Sequence, residues 1–255
     1  MTKATALITG ASSGLGAEFA RQLARRGADL VLVARDSAAL EAVADRLRAE
    51  DGVAVEVLAA DLTDAAGLDA VASRLTEPDH PIEVLVNNAG FGLDLDFAAN
   101  AYAEEERHLD LHVRATMRLS HAALGAMLAR GHGRIVNVAS VAAFMPRGTY
   151  GAVKAWVVSF SRWANAVYRP RGVTVTAVCP GFTRTNFHER LGLAPGQEGI
   201  APFLWLDAET VVREGLRDAA RGKPVSIPSL RYTVLIGLMR ILPGPISARL
   251  AKTGR

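Results

Sequence analysis

Tyr150 and Lys154 stand four positions apart, with three residues between them. On a helix that spacing sets a phenol and an ammonium on one face, looking into the same space. A free phenol has a pKa near ~10 and is a poor acid or base at neutral pH. A neighbouring cation favours the phenolate and lowers that pKa. A phenol tuned in this way can exchange a proton with an oxygen whose charge changes. Ser140 follows the apolar run Arg134-Ile135-Val136-Asn137-Val138, and its hydroxyl can return to the same pocket as a donor to a carbonyl oxygen. A solvated helix face would show the same Tyr–Lys spacing, so the chemistry rests on what surrounds the pair.

What must surround it is a scaffold that places these groups beside a reactant. Ala4-Thr5-Ala6-Leu7-Ile8-Thr9 reads as a buried parallel strand. Gly10-Ala11-Ser12-Ser13-Gly14-Leu15-Gly16 follows at once, and Leu15, Phe19 and Leu23 then recur at helical spacing. Strand, glycine-rich turn and helix together aim backbone N–H groups at a phosphate. A second strand, Ala28 to Ala34, ends at Arg35-Asp36. The residue just past this strand meets the ribose of a bound dinucleotide. An acid there binds the 2′-OH of NAD, and an arginine pairs with the 2′-phosphate of NADP. Both types are present, so the residues alone leave the choice open. A helix carrying Leu40, Val43, Ala44 and Leu47 precedes a strand through Val53, Val55 and Val57 that runs out at Asp61-Leu62. Thr63 is the expected N-cap of a helix with Leu68, Val71 and Leu75. Alternating strands and helices predict a Rossmann-type, doubly wound α/β fold, a mostly parallel sheet with helices on both faces.

These motifs together resemble the short-chain dehydrogenase/reductase family, over roughly residues 5 to 187. Thr9-Gly10 through Gly14-Leu15-Gly16 is similar to its cofactor fingerprint, and Asn87-Asn88-Ala89-Gly90 to its second hallmark. Ser140, Tyr150 and Lys154 resemble its catalytic set, and Pro180-Gly181 its nicotinamide-side turn. The resemblance implies a reductase that moves hydride between a nicotinamide and a ketone or secondary alcohol. Tyr150 would act as general acid/base, and Lys154 would also grip the nicotinamide ribose. It places Asp61 and Leu62 at the adenine and Thr183 and Thr185 at the carboxamide. It favours NADP(H) over NAD(H), because Arg35 stands where NAD-preferring relatives carry Asp. It implies a homodimer or homotetramer built on the helices near residues 104–129 and 150–169.

Two departures stand out. His112 occupies the place of an Asn that helps the family hold a proton-relaying water, so it either orders water or only packs. The expected inward face of that long helix is Leu109, His112, Val113 and Thr116. Ser140 and Tyr150 lie ten positions apart, a few fewer than in most relatives, and Pro146 and Gly148 could admit the tighter path.

The C-terminal part carries less pattern. Phe187 to Leu206 reads either as a lid over an apolar substrate or as an anchored surface loop. Asp207 opens a helix, and Pro224 to Ile227 reads as an edge strand. Leu230 to Leu242 is apolar with basic residues and too short to span a bilayer. It could lie on an anionic membrane, cover a lipid-like substrate or dock on the protein's own core.

The chain has 255 residues, half of them hydrophobic, with 23 glycines, and it reads as one domain with a C-terminal appendage. Its net charge is only +3, yet no Asp or Glu occurs from Ala219 onward. That basic tail lacks interleaved aromatics, so nucleic acid is not an expected partner. The single cysteine, Cys179, excludes a disulfide framework and a thiol metal cluster and reads as a buried thiol. No basic-then-apolar leader and no bilayer-length apolar run occur, so a cytoplasmic protein is expected. The expected substrate is a lipophilic carbonyl, 3-oxoacyl or steroid-like. The alternative is a regulator that binds cofactor on the same fold without catalysis.

Overall fold

The computed structural model describes residues 3–93, 95–185 and 201–239. The expected lid between Phe187 and Ile200 and the basic tail from Arg240 onward lie outside the described residues.

Runs rich in Val, Leu and Ile, the central ones buried on both faces, form the strands. They are β1 (Thr5–Thr9), β2 (Asp29–Ala34), β3 (Val55–Ala59), β4 (Val84–Asn87), β5 (Gly133–Val138), β6 (Val173–Val178) and β7 (Val225–Ser226). They make one sheet in the order β3-β2-β1-β4-β5-β6-β7, with every neighbouring pair parallel. The period-two alternation of each strand splits the core into two layers. Ile8, Leu32 and Val86 face α1 (Gly14–Ala24), α2 (Ser37–Asp51) and α7 (Ala208–Ala220). Leu7, Val31 and Leu85 face α3 (Ala65–Thr76), α5 (Thr116–Arg130) and α6 (Gly148–Tyr168). Phe19, Leu32, Leu40 and Leu119 are buried, each contributing roughly 1.5–3 kcal/mol of apolar transfer. Cys179 is a buried free thiol.

Local signals set most boundaries, and two differ from expectation. The cap of α3 is Asp64, whose carboxylate accepts from the Gly67 amide at 3.1 Å. The Thr63 hydroxyl instead donates to Asp61 at 2.7 Å, so it is engaged one residue before the cap. The long helix is continuous but not uniform: α4 (Tyr102–Leu109) passes through a π-helical stretch, Asp110–Ala115, into α5. The wider turn rotates the residue three back from His112 outward and the residue four back inward. Leu109 is therefore exposed rather than inward, and His108 is buried in its place.

Asp207 caps α7 by accepting from the Thr210 amide at 3.1 Å, and β7 forms the sheet edge beside β6. The last described element, α8 (Leu230–Met239), docks on the protein's own core through Tyr232 and Ile236. Leu230, Val234 and Leu238 on its other face are exposed.

Replacing Asp64 by Ala removes the cap of α3 and should lower unfolding stability by about 1 kcal/mol. Urea denaturation measures it, and an unchanged midpoint would contradict the assignment.

Candidate active site

Successive strands are laid down to one side of β1 and then, from β4, to the other. At that reversal a crevice opens beyond the carboxyl ends of the strands. The Thr9 hydroxyl accepts from the Asn88 amide at 2.9 Å and the Ala89 amide at 3.0 Å. The Asn88 side-chain amide donates back to the Thr9 carbonyl at 2.9 Å. These bonds fix the ends of β1 and β4 to each other. A cavity of about 1350 Å³ fills the crevice.

One end of the cavity is lined by Gly10, Ser12, Ser13, Gly14 and Leu15 at the start of α1. Gly10 turns at φ 66°, and a Cβ on Gly16 would collide with the Gly10 carbonyl oxygen. The turn can be this tight only without side chains, and it leaves a helix N-terminus open to an anion. Thr9 and Gly16 do not line the cavity; they hold the turn that does. Further out lie Arg35, Asp36, Asp61 and Leu62. The Asp36 carboxylate accepts from the Ala39 amide at 3.0 Å and caps α2, which leaves Arg35 as the residue suited to a phosphate. Burial raises the proton affinity of Asp61, but hydrogen bonds from the Thr63 amide and hydroxyl, with Arg35 and Arg107 nearby, hold its pKa below the usual value. Asn88, Ala89 and Gly90 form the floor. These features fit a dinucleotide with an extra phosphate on its adenosine side.

The other end gathers Ser140, Tyr150, Lys154, His112, Pro180, Gly181, Thr183 and Thr185. Ser140, two residues past β5, is in extended conformation and caps the 3-10 turn Val141–Phe144, accepting from the Ala142 amide at 3.1 Å. That turn, followed by Gly148 at φ 56°, spans the short interval to Tyr150. A hydrogen bond joins Ser140 to Tyr150. Lys154 is 5% exposed, and its ammonium donates to the Val138 carbonyl at 2.8 Å. Burial pushes Lys154 down to about 8, although the Cys179 thiol opposes this.

The expected electrostatics are altered in one respect. Burial raises the Tyr150 pKa above its ordinary value, opposed by the Ser140 hydrogen bond and by Arg147. The Lys154 nitrogen stands 5.7 Å from the centre of the Tyr150 ring. The cation that lowers the phenol's proton affinity is thus Arg147, one helical turn earlier, with its guanidinium 5.9 Å from the Phe182 ring.

His112 is buried, with its Nε2 2.8 Å from the Phe91 carbonyl, and a Cβ on Gly90 would strike its Cε1. His108, one turn earlier, lies with its ring centre 4.4 Å from that of His112 and 6.0 Å from that of Tyr150. Neither ring nitrogen of His108 has a hydrogen-bond partner among the described residues. Burial and then the Lys154 charge push His108 down to about 4, against the Glu105 charge and the Phe91 backbone. Burial, Lys154 and His108 likewise hold His112 well below its ordinary value. Both imidazoles are neutral near pH 7.

Sequence reasoning missed three residues here: His108, Arg147 and Tyr232. The i, i+4 spacing of His108 and His112 was available as a signal, as was the i, i+3 spacing of Arg147 and Tyr150. Nothing local announces Tyr232, which lines the cavity from α8.

Residues 4–195 match the family model described as short chain dehydrogenase. The chain belongs to this family. Oxidoreductase UcpA of Escherichia coli strain K12 is 34% identical over 225 residues, 86% of this chain and 84% of that protein. A short-chain dehydrogenase from Sphingobium yanoikuyae, solved in complex with NADPH, superposes with a TM-score of 0.84 at 41% identity, covering 94% of this chain and 96% of that one. The bulky-bulky ketone specific alcohol dehydrogenase from Comamonas testosteroni superposes with a TM-score of 0.81 at 36% identity, covering 95% and 96%. Within this short chain dehydrogenase Ser140, Tyr150, Lys154 and the glycine turn share one cavity.

A pH dependence follows from His108. Its folded-state pKa, about 4, is below the ordinary 6.5, so the unfolded chain binds the extra proton between those values. Stability is full above about pH 6.5 and falls as pH drops through that window. His108→Leu should flatten the decline in melting temperature between pH 7.5 and 5; an unchanged slope would contradict it.

Proposed function

We propose that this short chain dehydrogenase is an NADP(H)-dependent oxidoreductase that interconverts a lipophilic ketone and its secondary alcohol. The observation that carries the reading is the convergence of Ser140, Tyr150 and Lys154 on the cavity that also holds the glycine turn and Arg35. A nicotinamide held in this cavity would supply or accept the hydride. A ketone oxygen beside Tyr150 would accept hydrogen bonds from the Ser140 and Tyr150 hydroxyls. As negative charge develops there, Tyr150 gives up its proton. Its raised pKa suits this role, because the phenol remains protonated at neutral pH. Lys154 is tied to the end of β5 by Val138 and offers its remaining protons to the ribose hydroxyls and the proton path. The neutral His112 is oriented by Phe91, in a position to order water along that path. In the oxidation direction the same groups take the alcohol proton.

The apolar wall supports a bulky, lipophilic substrate: Leu93, Leu95, Val141, Met145, Leu204 and Leu235 line the cavity. The ketone-specific relative from Comamonas testosteroni agrees with a bulky ketone, and the NADPH-bound relative with NADP(H) as the cofactor. The whole chain acts as one domain in this reading, since α8 completes the wall. Met117 on α5 and Trp163 and Val167 on α6 are exposed, which suits a homodimer or homotetramer formed through these helices. No helix among the described residues is long and apolar enough to cross a membrane. The exposed apolar side of α8 and the basic tail suit peripheral contact of a cytoplasmic enzyme with an anionic bilayer.

A spectrophotometric panel of bulky ketones with NADPH and NADH tests the activity. Tyr150→Phe should reduce kcat by about 10²–10⁴-fold while NADPH still binds. Retained turnover would sink the acid assignment, and binding without turnover in the natural chain would leave a regulator. Arg35→Ala should raise the KM for NADPH by about 10- to 100-fold, the range of a charge-assisted hydrogen bond, and leave the KM for NADH nearly unchanged. Equal losses with both cofactors would overturn the NADP(H) reading.

A further inference from the structure

The family match ends at residue 195, yet α8 reaches the cavity from beyond it. Tyr232 is 3% exposed. Its hydroxyl accepts from the Phe182 amide at 3.1 Å and donates to the Leu204 carbonyl at 2.7 Å. One buried hydroxyl thereby joins two segments of chain that have no sequence contact with α8. The neighbouring Arg231 donates to the Phe203 carbonyl at 2.7 Å. The Tyr232 ring lies so close over Gly181 that any Cβ there would collide with it.

The two clasped segments are also bonded to each other. The Leu206 amide donates to the Phe182 carbonyl at 2.8 Å, and the Arg184 amide to the Leu206 carbonyl at 3.0 Å. On the other side, the Val141 amide donates to the Pro180 carbonyl at 2.9 Å. A continuous path therefore runs from Tyr232 through Gly181 and Pro180 to Val141, beside Ser140. Phe182, Leu204 and Tyr232 all line the cavity.

We propose that Tyr232 is a positioning residue, whose hydroxyl clasps Phe182 and Leu204 and so sets the spacing between the nicotinamide side of the cavity and its substrate wall. This rests on the reading of the site as a nicotinamide-dependent ketone reductase. Tyr232 touches the reaction only through other groups: the turn at Pro180-Gly181-Phe182 and the wall at Leu204. Loosening the clasp would let those two walls move apart, weakening both ligands more than it slows the proton transfer at Tyr150.

Tyr232→Phe keeps the ring and its packing and removes only the hydroxyl. The full chain carrying it should show NADPH Kd and ketone KM each raised about five- to tenfold, the scale of one ordinary hydrogen bond, with kcat within about twofold. A residue that serves stability alone would lower the melting temperature and leave Kd and KM as in the natural chain, and that result overturns the proposal. A second pair of variants tests the path. Gly181→Ala forces a methyl group against the ring and should weaken NADPH binding; combining it with Tyr232→Ala should recover part of that loss. Strictly additive effects would overturn the path. NADPH binding to the natural chain, followed by fluorescence without turnover, separates the failures. If the natural chain binds NADPH and Tyr232→Phe matches it, only the clasp is wrong. If the natural chain does not bind NADPH, the functional reading fails and the clasp with it.

Discussion

A lysine ammonium withdrawn from water is the constraint on which the site is built. Lys154 is held against the end of β5 by one bond to the Val138 carbonyl. Taking such a charge out of solvent costs several kcal/mol unless other groups compensate. The pKa near 8 records that penalty, and α6 must keep its register on the sheet to maintain the single bond. That register also fixes Tyr150, one turn earlier on the same face. The carbonyl of Val138 precedes Ala139 and Ser140 by one and two residues, so strand end, hydroxyl, phenol and ammonium form one rigid unit. Moving any one of them displaces the others.

Around that unit the protein places aromatic and imidazole rings, along with the Arg147 guanidinium. The π-helical stretch Asp110–Ala115 brings His108 and His112 inward together, between Phe91 and Tyr150. Two neutral rings can sit there because burial and the nearby ammonium both disfavour protonation. The bare backbone at Gly90 makes room for His112.

The C-terminal helix changes the meaning of the cavity's far wall. By sequence this apolar segment with basic residues could lie on a membrane, cover a substrate or dock on the core. In the fold, Tyr232 and Ile236 turn inward beside Val141, Phe182 and Leu204. The substrate end of the crevice is thus closed by an element that neither the sheet nor the glycine turn requires. Wall shape can vary there without disturbing Ser140, Tyr150 and Lys154, which are held by β5 and α6.

Much of this protein was legible in its sequence because the determining interactions are local. Apolar runs of strand length, helical periodicity and the spacing of Gly10, Gly14 and Gly16 specify a parallel sheet with a nucleotide turn. The four-residue spacing of Tyr150 and Lys154 specifies a shared face whatever the fold. Other features turn on which of several local bonds the folded chain takes, or on residues remote in the chain. Arg35 and Asp36 were equivalent until α2 took the Asp36 carboxylate as its cap. Asp64 displaced Thr63 as a cap because Asp61, on the adjoining turn, engaged the threonine hydroxyl. His108 replaced Leu109 on the inner face through a change of helical pitch that no 3.6-residue pattern contains. Tyr232 meets Phe182 across 50 residues, and only tertiary packing brings them together. The sequence determined which chemistry the chain carries, because local spacing sets it; the fold decided which charges and rings surround it, because desolvation and long-range contact arise only in the packed state.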